Sequence, residues 1–177
     1  GLDVLPRFSW ILRSSATTSQ TSYRLQISLK EDFENIMFDS GVVKSNTNFL
    51  NTLSNLTALK ASTDYYWRVE ATLEDGNATG FSEVSRFSTG LMDKWPEDAK
   101  WITGGITNKL LRTKFDSSKS FTQAKLYISG IGYHEVYLNG RKVGDHKLDS
   151  PWSDNNKRNY YVSHDVTSFL VNGENAI

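Results

Sequence analysis

Apolar residues recur at every second position through Tyr65-Tyr66-Trp67-Arg68-Val69-Glu70-Ala71-Thr72-Leu73. Tyr65, Trp67, Val69, Ala71 and Leu73 form one set, and Arg68, Glu70 and Thr72 fall between them. A period of two sends the sets to opposite faces of a pleated backbone, which predicts a strand with one buried and one solvated face. Tyr23, Leu25 and Ile27 alternate in the same way, as do Phe8 and Trp10. No stretch sustains a helical period. Many short alternating runs divided by Gly, Asn, Asp and Ser predict an all-β chain of stacked antiparallel sheets.

The alternation lapses after Phe87-Ser88-Thr89-Gly90. The segment LMDKWPEDAKW carries charges, a proline and two tryptophans. Flexible linkers are usually rich in Gly and Ser instead, so this one is expected to pack rather than float. It divides the chain into domains at residues 1–91 and 92–177. Strand-like runs resume with LLRTKF, AKLYIS, YHEVYLNGRKVGD and NYYVSHDV. In the third of these, Tyr133, Glu135 and Tyr137 share one face, and His134, Val136 and Leu138 the other. Asn139-Gly140 then predicts a tight hairpin turn into Arg141-Lys142-Val143, because both residues tolerate positive φ.

Composition narrows the partners. The chain has 177 residues, enough for two small domains with cores of their own. Its 20 basic and 20 acidic side chains cancel. Nucleic acid and anionic membranes both call for a basic surplus, so neither is an expected partner. No apolar run approaches the length of about 18 residues that spans a bilayer. The chain has no cysteine, which removes disulfides and thiolate metal sites. It begins at Gly1 with no signal-peptide pattern, read as an excised or processed boundary.

Several groups could carry chemistry. Glycoside hydrolysis needs two carboxylates roughly 5–10 Å apart. Glu31, Asp32, Glu34, Glu74, Asp75, Asp145, Asp149 and Asp154 are all available, but sequence alone can pair any of them, and solvated loop charge is their ordinary role. His134, His146 and His164 lack the close spacing of a zinc site, so no metal is assigned. The oxygen-rich stretch DSPWSDNN would suit calcium better. In Ser150-Pro151-Trp152-Ser153-Asp154 an exposed indole would offer a flat apolar face to a sugar, with Asp and Asn taking its hydroxyls. The competing reading is that Trp152 plugs the edge of a sandwich. Gly130-x-Gly132 opens no helix, which argues against a nucleotide loop. Lys157-Arg158 is read as a solvated turn, and the triplets at Asn55 and Asn77 fit the N-glycosylation pattern.

The segment LKASTDYYWRVEATLEDGNATGFSEVSRFSTG resembles the last strands of a fibronectin type III domain, through Leu59, Thr63, Tyr65, Trp67, Val69, the Asp75-Gly76 turn, Ser82 and Phe87 to Thr89. The resemblance makes Tyr65 a corner tyrosine whose hydroxyl returns to nearby backbone, and places Trp10 and Tyr23 on facing strands. Followed by AKWI and LYISGIGYHEVYLNGRKVGDHKLDSPWSDNNKRNYYVSHDVTSFLVNGENAI, the whole resembles the N-terminal region of bacterial α-L-rhamnosidases. There the second module is a galactose-binding-like jelly roll whose strands continue past NGENAI. The catalytic α/α barrel follows downstream. The resemblance implies a non-catalytic N-terminal part of a glycosidase that releases terminal L-rhamnose, with an incomplete jelly roll and no catalytic residue of its own. A sheet edge left unpaired would be less ordered or would promote self-association. A stand-alone carbohydrate-binding module and a structural spacer are the alternatives. Trp152, Asp154, Asn155, Tyr133 and Asn139 are the candidate carbohydrate-binding residues. Related jelly rolls hold L-rhamnose through calcium, although that ligand set does not match here residue by residue. The family implies a periplasmic or secreted location.

Overall fold

A computed structural model describes residues 2–13, 19–50, 59–92, 94–105, 110–117 and 120–177. The alternating segments become strands, and the chain divides into two units, Gly1–Trp95 and Pro96–Ile177. In the first, the strands are β1 (Phe8–Ser9), β2 (Gln20–Ser28), β3 (Ile36–Asp39), β4 (Val43–Lys44), β5 (Phe49–Leu50), β6 (Asp64–Leu73), β7 (Ala78–Phe81) and β8 (Ser85–Ser88). The two longest, β2 and β6, lie antiparallel at the centre, with Tyr23 opposite Ala71, Leu25 opposite Val69 and Ile27 opposite Trp67. β3 and β4 pair with the far side of β2, and β7 and β8 with the far side of β6. β1 and β5 form a separate antiparallel ladder.

The predicted apolar faces meet in one core. Leu25, Ile27 and Tyr65 are wholly buried, and Phe8, Trp10, Tyr23, Leu59 and Val69 pack around them. Trp10 and Tyr23 do come together, ring centres 4.9 Å apart. The indole Nε1–H of Trp10 donates to Gln20 Oε1 at 2.9 Å, so its one polar atom is satisfied within the core. The Tyr65 hydroxyl accepts the Lys60 backbone N–H at 2.8 Å, the corner contact that the resemblance implied.

One expectation needs correction. The alternation in β2 predicts a solvated second face, yet Ser22, Gln26 and Ser28 are buried. A strand flanked on both sides is covered by its neighbours' side chains, and here the cover is polar. Gln26 Nε2 donates to Asp39 Oδ2 at 2.8 Å, and Arg68 Nε donates to Gln26 Oε1 at 2.9 Å. The Arg68 guanidinium also lies over the rings of Phe33 and Phe81, at 4.0 and 4.2 Å. Such stacking adds to the packing of the aliphatic stem. Arg68→Ala is therefore expected to cost the first unit about 1–2 kcal/mol. Arg68→Lys should cost less, because the stem and charge remain while the planar fork is lost. Urea denaturation compared across the three proteins measures both effects, and indistinguishable midpoints would remove Arg68 from the account.

The start of the linker packs against the first unit. Leu91 is buried and Met92 rests against the first core, whereas Trp95 and Trp101 are 43% and 63% exposed.

In the second unit, β9 (Lys114–Ser117), β10 (Lys125–Ser129), β11 (Tyr137–Leu138), β12 (Arg141–Lys142), β13 (Tyr161–Asp165) and β14 (Gly173–Ala176) are joined by loops and a 3₁₀ turn at Thr167–Phe169. All three ladders are antiparallel: β9 with β14, β10 with β13 and β11 with β12. The last is the predicted hairpin. Asn139 and Gly140 turn it with φ of 52° and 78°, left-handed values that Asn and Gly tolerate best. Val136, Leu138, Val143 and Val166 form the buried core, with Leu126, Ile128 and Phe169 against it.

Candidate functional site

The loop that follows Asp149 carries the strongest sequence candidate. Ser150 is buried, and its Oγ accepts the Gly130 N–H at 3.4 Å. Two residues later Trp152 is 87% exposed, so the reading in which it plugs a sheet edge is replaced by one in which the indole projects into solvent. Beyond it the chain closes a turn: the Asp154 carbonyl accepts the N–H groups of Lys157 and Arg158 at 2.8 and 2.9 Å. Asp154 Oδ1 accepts the Asn156 N–H at 3.1 Å, and Ser153 Oγ donates to Asn155 Oδ1 at 3.3 Å. The turn is held by local bonds, leaving Asp154 and Asn155 at the surface near the tryptophan in the chain.

The other two candidates differ. Tyr133 is 58% exposed, on the solvent face its alternation predicted. The Asn139 side chain works inside the fold: Nδ2 donates to Phe169 O at 2.9 Å and Asn175 Oδ1 at 2.8 Å, and Oδ1 accepts the Ala176 N–H at 2.9 Å. With its amide spoken for, Asn139 pins the hairpin turn to β14.

Behind the loop lies an arrangement that spacing along the chain does not reveal. His134 and Asp149 form an antiparallel bridge, with the His134 N–H donating to the Asp149 carbonyl at 2.7 Å. The Asp149 carboxylate is 3.3 Å from His146 Nδ1, and the same oxygen is 3.8 Å from His164 Nε2. The rings of His146 and His164 are 5.7 Å apart. Burial holds the His134 imidazole below its ordinary pKa; nearby Asp149 opposes that shift and His164 adds to it. All three histidines of the chain thus gather at one carboxylate. Only the non-local bridge and the placement of β13 bring them together. Even so, no group of three or more His, Asp or Glu among the described residues is arranged to hold a metal ion.

Three of the remaining acidic candidates serve turns and a surface pair. Asp32 accepts the Glu34 N–H, Asp75 the Asn77 N–H, and Glu34 pairs with Lys30. The basic pair is occupied locally, Lys157 near Asp154 and Arg158 over Tyr160. Asn77 is exposed and donates to Asp75, while the triplet at Asn55 lies outside the described residues.

An immunoglobulin-like sandwich followed by a jelly-roll-type unit defines a class of tandem β-module. Comparison with known proteins narrows the class. Residues 1–93 match the family described as "Rha78A-like, N-terminal immunoglobulin domain", and residues 119–177 match "Alpha-L-rhamnosidase N-terminal domain". An α-L-rhamnosidase of Formosa agariphila is 32% identical over 97% of this chain and 21% of its own length. One from Alteromonas sp. is 27% identical with the same coverage. The solved structure of α-L-rhamnosidase from Dictyoglumus thermophilum superposes with a TM-score of 0.85 and 30% identity, over 97% of this chain and 22% of that one. The chain belongs to the Rha78A-like, α-L-rhamnosidase N-terminal family. It corresponds to the N-terminal region of those enzymes and spans about a fifth of the curated relatives' length.

Proposed function

We propose that this chain is the non-catalytic N-terminal part of an α-L-rhamnosidase, acting to position a downstream catalytic domain that releases terminal L-rhamnose. The observation that carries the reading is the match of nearly the whole chain to the N-terminal fifth of such enzymes. The test is hydrolysis of an aryl α-L-rhamnoside. The 177-residue polypeptide is expected to give no turnover, and the product of the open reading frame that contains it is expected to give turnover. Hydrolysis by the short polypeptide, or none by the long one, would overturn the proposal. A periplasmic or secreted location belongs to the same reading.

A second reading rests on Trp152. An indole with 87% of its surface exposed is costly to leave in water without use, and a sugar's C–H face would cover it. In this reading the loop recognises L-rhamnose, with Trp152 stacking and Asp154 and Asn155 taking hydroxyls. Titration of the chain with L-rhamnose, with and without calcium, is expected to give saturable millimolar binding that weakens by about tenfold or more in Trp152→Ala. The two calcium arms separate a metal-bridged sugar from one held directly. Absence of binding in both arms would leave the positioning role alone.

A further inference from the structure

The histidine cluster has no part in either reading above, yet it is a built feature. The His134 ring occupies a slot that exists because residue 130 is glycine: a Cβ there would stand 2.7 Å from His134 Nδ1. His164 is fitted in the same way against Gly144, where a Cβ would lie 3.0 Å from His164 Cε1. Both nitrogens of His134 are buried, and neither meets a hydrogen-bond partner among the described residues. With both nitrogens buried in this way the slot favours the neutral ring, because an imidazolium would hold two buried N–H donors without an acceptor.

The groups that face it complete the electrostatics. From the loop after β12 come His146 and Asp149, and from β13 comes His164. From β12 the Lys142 ammonium, paired with Glu135, also feels Asp149. The Asp149 carboxylate also favours a charged His134, but burial of that ring outweighs it.

We propose that His134, His146, His164 and Asp149 form a proton-operated latch that holds the Trp152 loop in place at neutral pH and releases it on acidification. His134 is the operating residue. Its backbone N–H grips the Asp149 carbonyl, and the loop runs from that residue through Ser150 to Trp152. A protonated ring must reach water, and a ring that leaves its slot draws the bridge apart. The direction follows from burial, which holds the pKa of His134 below the value of about 6.5 that it has in an open chain. The closed form is fully favoured above that pH and loses its advantage as pH falls through the lowered value, since the open form takes up a proton that the closed form refuses.

Hydrogen exchange of the whole chain tests the latch. After correction for the intrinsic pH dependence, amides from Asp149 to Asn155 are expected to exchange about tenfold faster at about pH 5 than at about pH 7.5, while those of β2 and β6 keep their protection. Ring NMR should show His134 titrating below the open-chain value of about 6.5, at the midpoint of the loop's loss of protection. In His134→Phe the acid response of the loop is expected to vanish. In Gly130→Ala, where the slot is narrowed, the loop should exchange freely already at neutral pH. Equal loop protection at both pH values overturns the latch, as does a His134 that titrates at or above about 6.5. A full acid response in His134→Phe overturns it as well.

Discussion

Replacing Tyr65 with alanine is expected to destabilise the first unit by about 3–5 kcal/mol, the range for emptying a buried aromatic site. Tyr65 is wholly buried on β6, and its ring stacks on Phe87 with centres 5.2 Å apart. A domain of this size is stable by only about 5–15 kcal/mol, so the substitution would bring the unit close to unfolding. Tyr65→Phe isolates the corner contact. The ring and its packing stay, and the Lys60 N–H loses its acceptor, which should cost about 1–2 kcal/mol. Urea denaturation followed through amide signals of β2 and β6 measures both. Equal losses in the two variants would place the whole effect in the hydroxyl, and an alanine variant within about 1 kcal/mol of wild type would deny Tyr65 its place at the centre of the core.

That residue was legible in the sequence because two independent signals fell on it, the period of two and the tyrosine corner. The Asn139-Gly140 hairpin was legible for the same kind of reason: its turn chemistry is local, and φ values of 52° and 78° are those the dipeptide favours. What escaped was set by non-local pairing. The polar face of β2 is buried because β3, β4 and β6 all pair with it, and alternation in one strand carries no information about its neighbours. The histidines are 12 and 18 residues from one another along the chain, and only the bridge from His134 to Asp149 and the position of β13 gather them. Trp152 went the other way. Average tryptophan burial favoured an edge plug, but Ser150, two residues earlier, is the buried one, and the loop turns the indole outward.

Asn139, a candidate carbohydrate-binding residue by sequence, has an internal partner that leads to the second large effect. Asn175 in β14 is 1% exposed and bonded at every polar atom. Its Oδ1 accepts from Asn139 Nδ2 at 2.8 Å and from the Val171 N–H at 2.9 Å, while its Nδ2 donates to the carbonyls of Val171 at 2.9 Å and Gly173 at 2.8 Å. Leucine fills a similar volume but answers none of these groups. Each polar group left buried without a partner costs about 1–3 kcal/mol, and because the bonds form one network their losses do not simply add. Asn175→Leu is expected to cost the second unit about 2–4 kcal/mol, by urea denaturation followed through β10 and β13 amides. Combined with Asn139→Ala, the two changes should cost less than their sum by about 1 kcal/mol or more, because each already breaks the shared bond. Asn175→Asp supplies a test with a direction. It keeps the acceptor but turns the donor nitrogen into an oxygen facing two carbonyls, an arrangement that favours the protonated acid in the folded chain. A pKa raised on folding means that the variant's deficit is smallest below about pH 4 and widens as pH rises above it. A deficit that does not change with pH would show that the carboxylate had swung out to water, and that the network does not hold β14 to the hairpin turn.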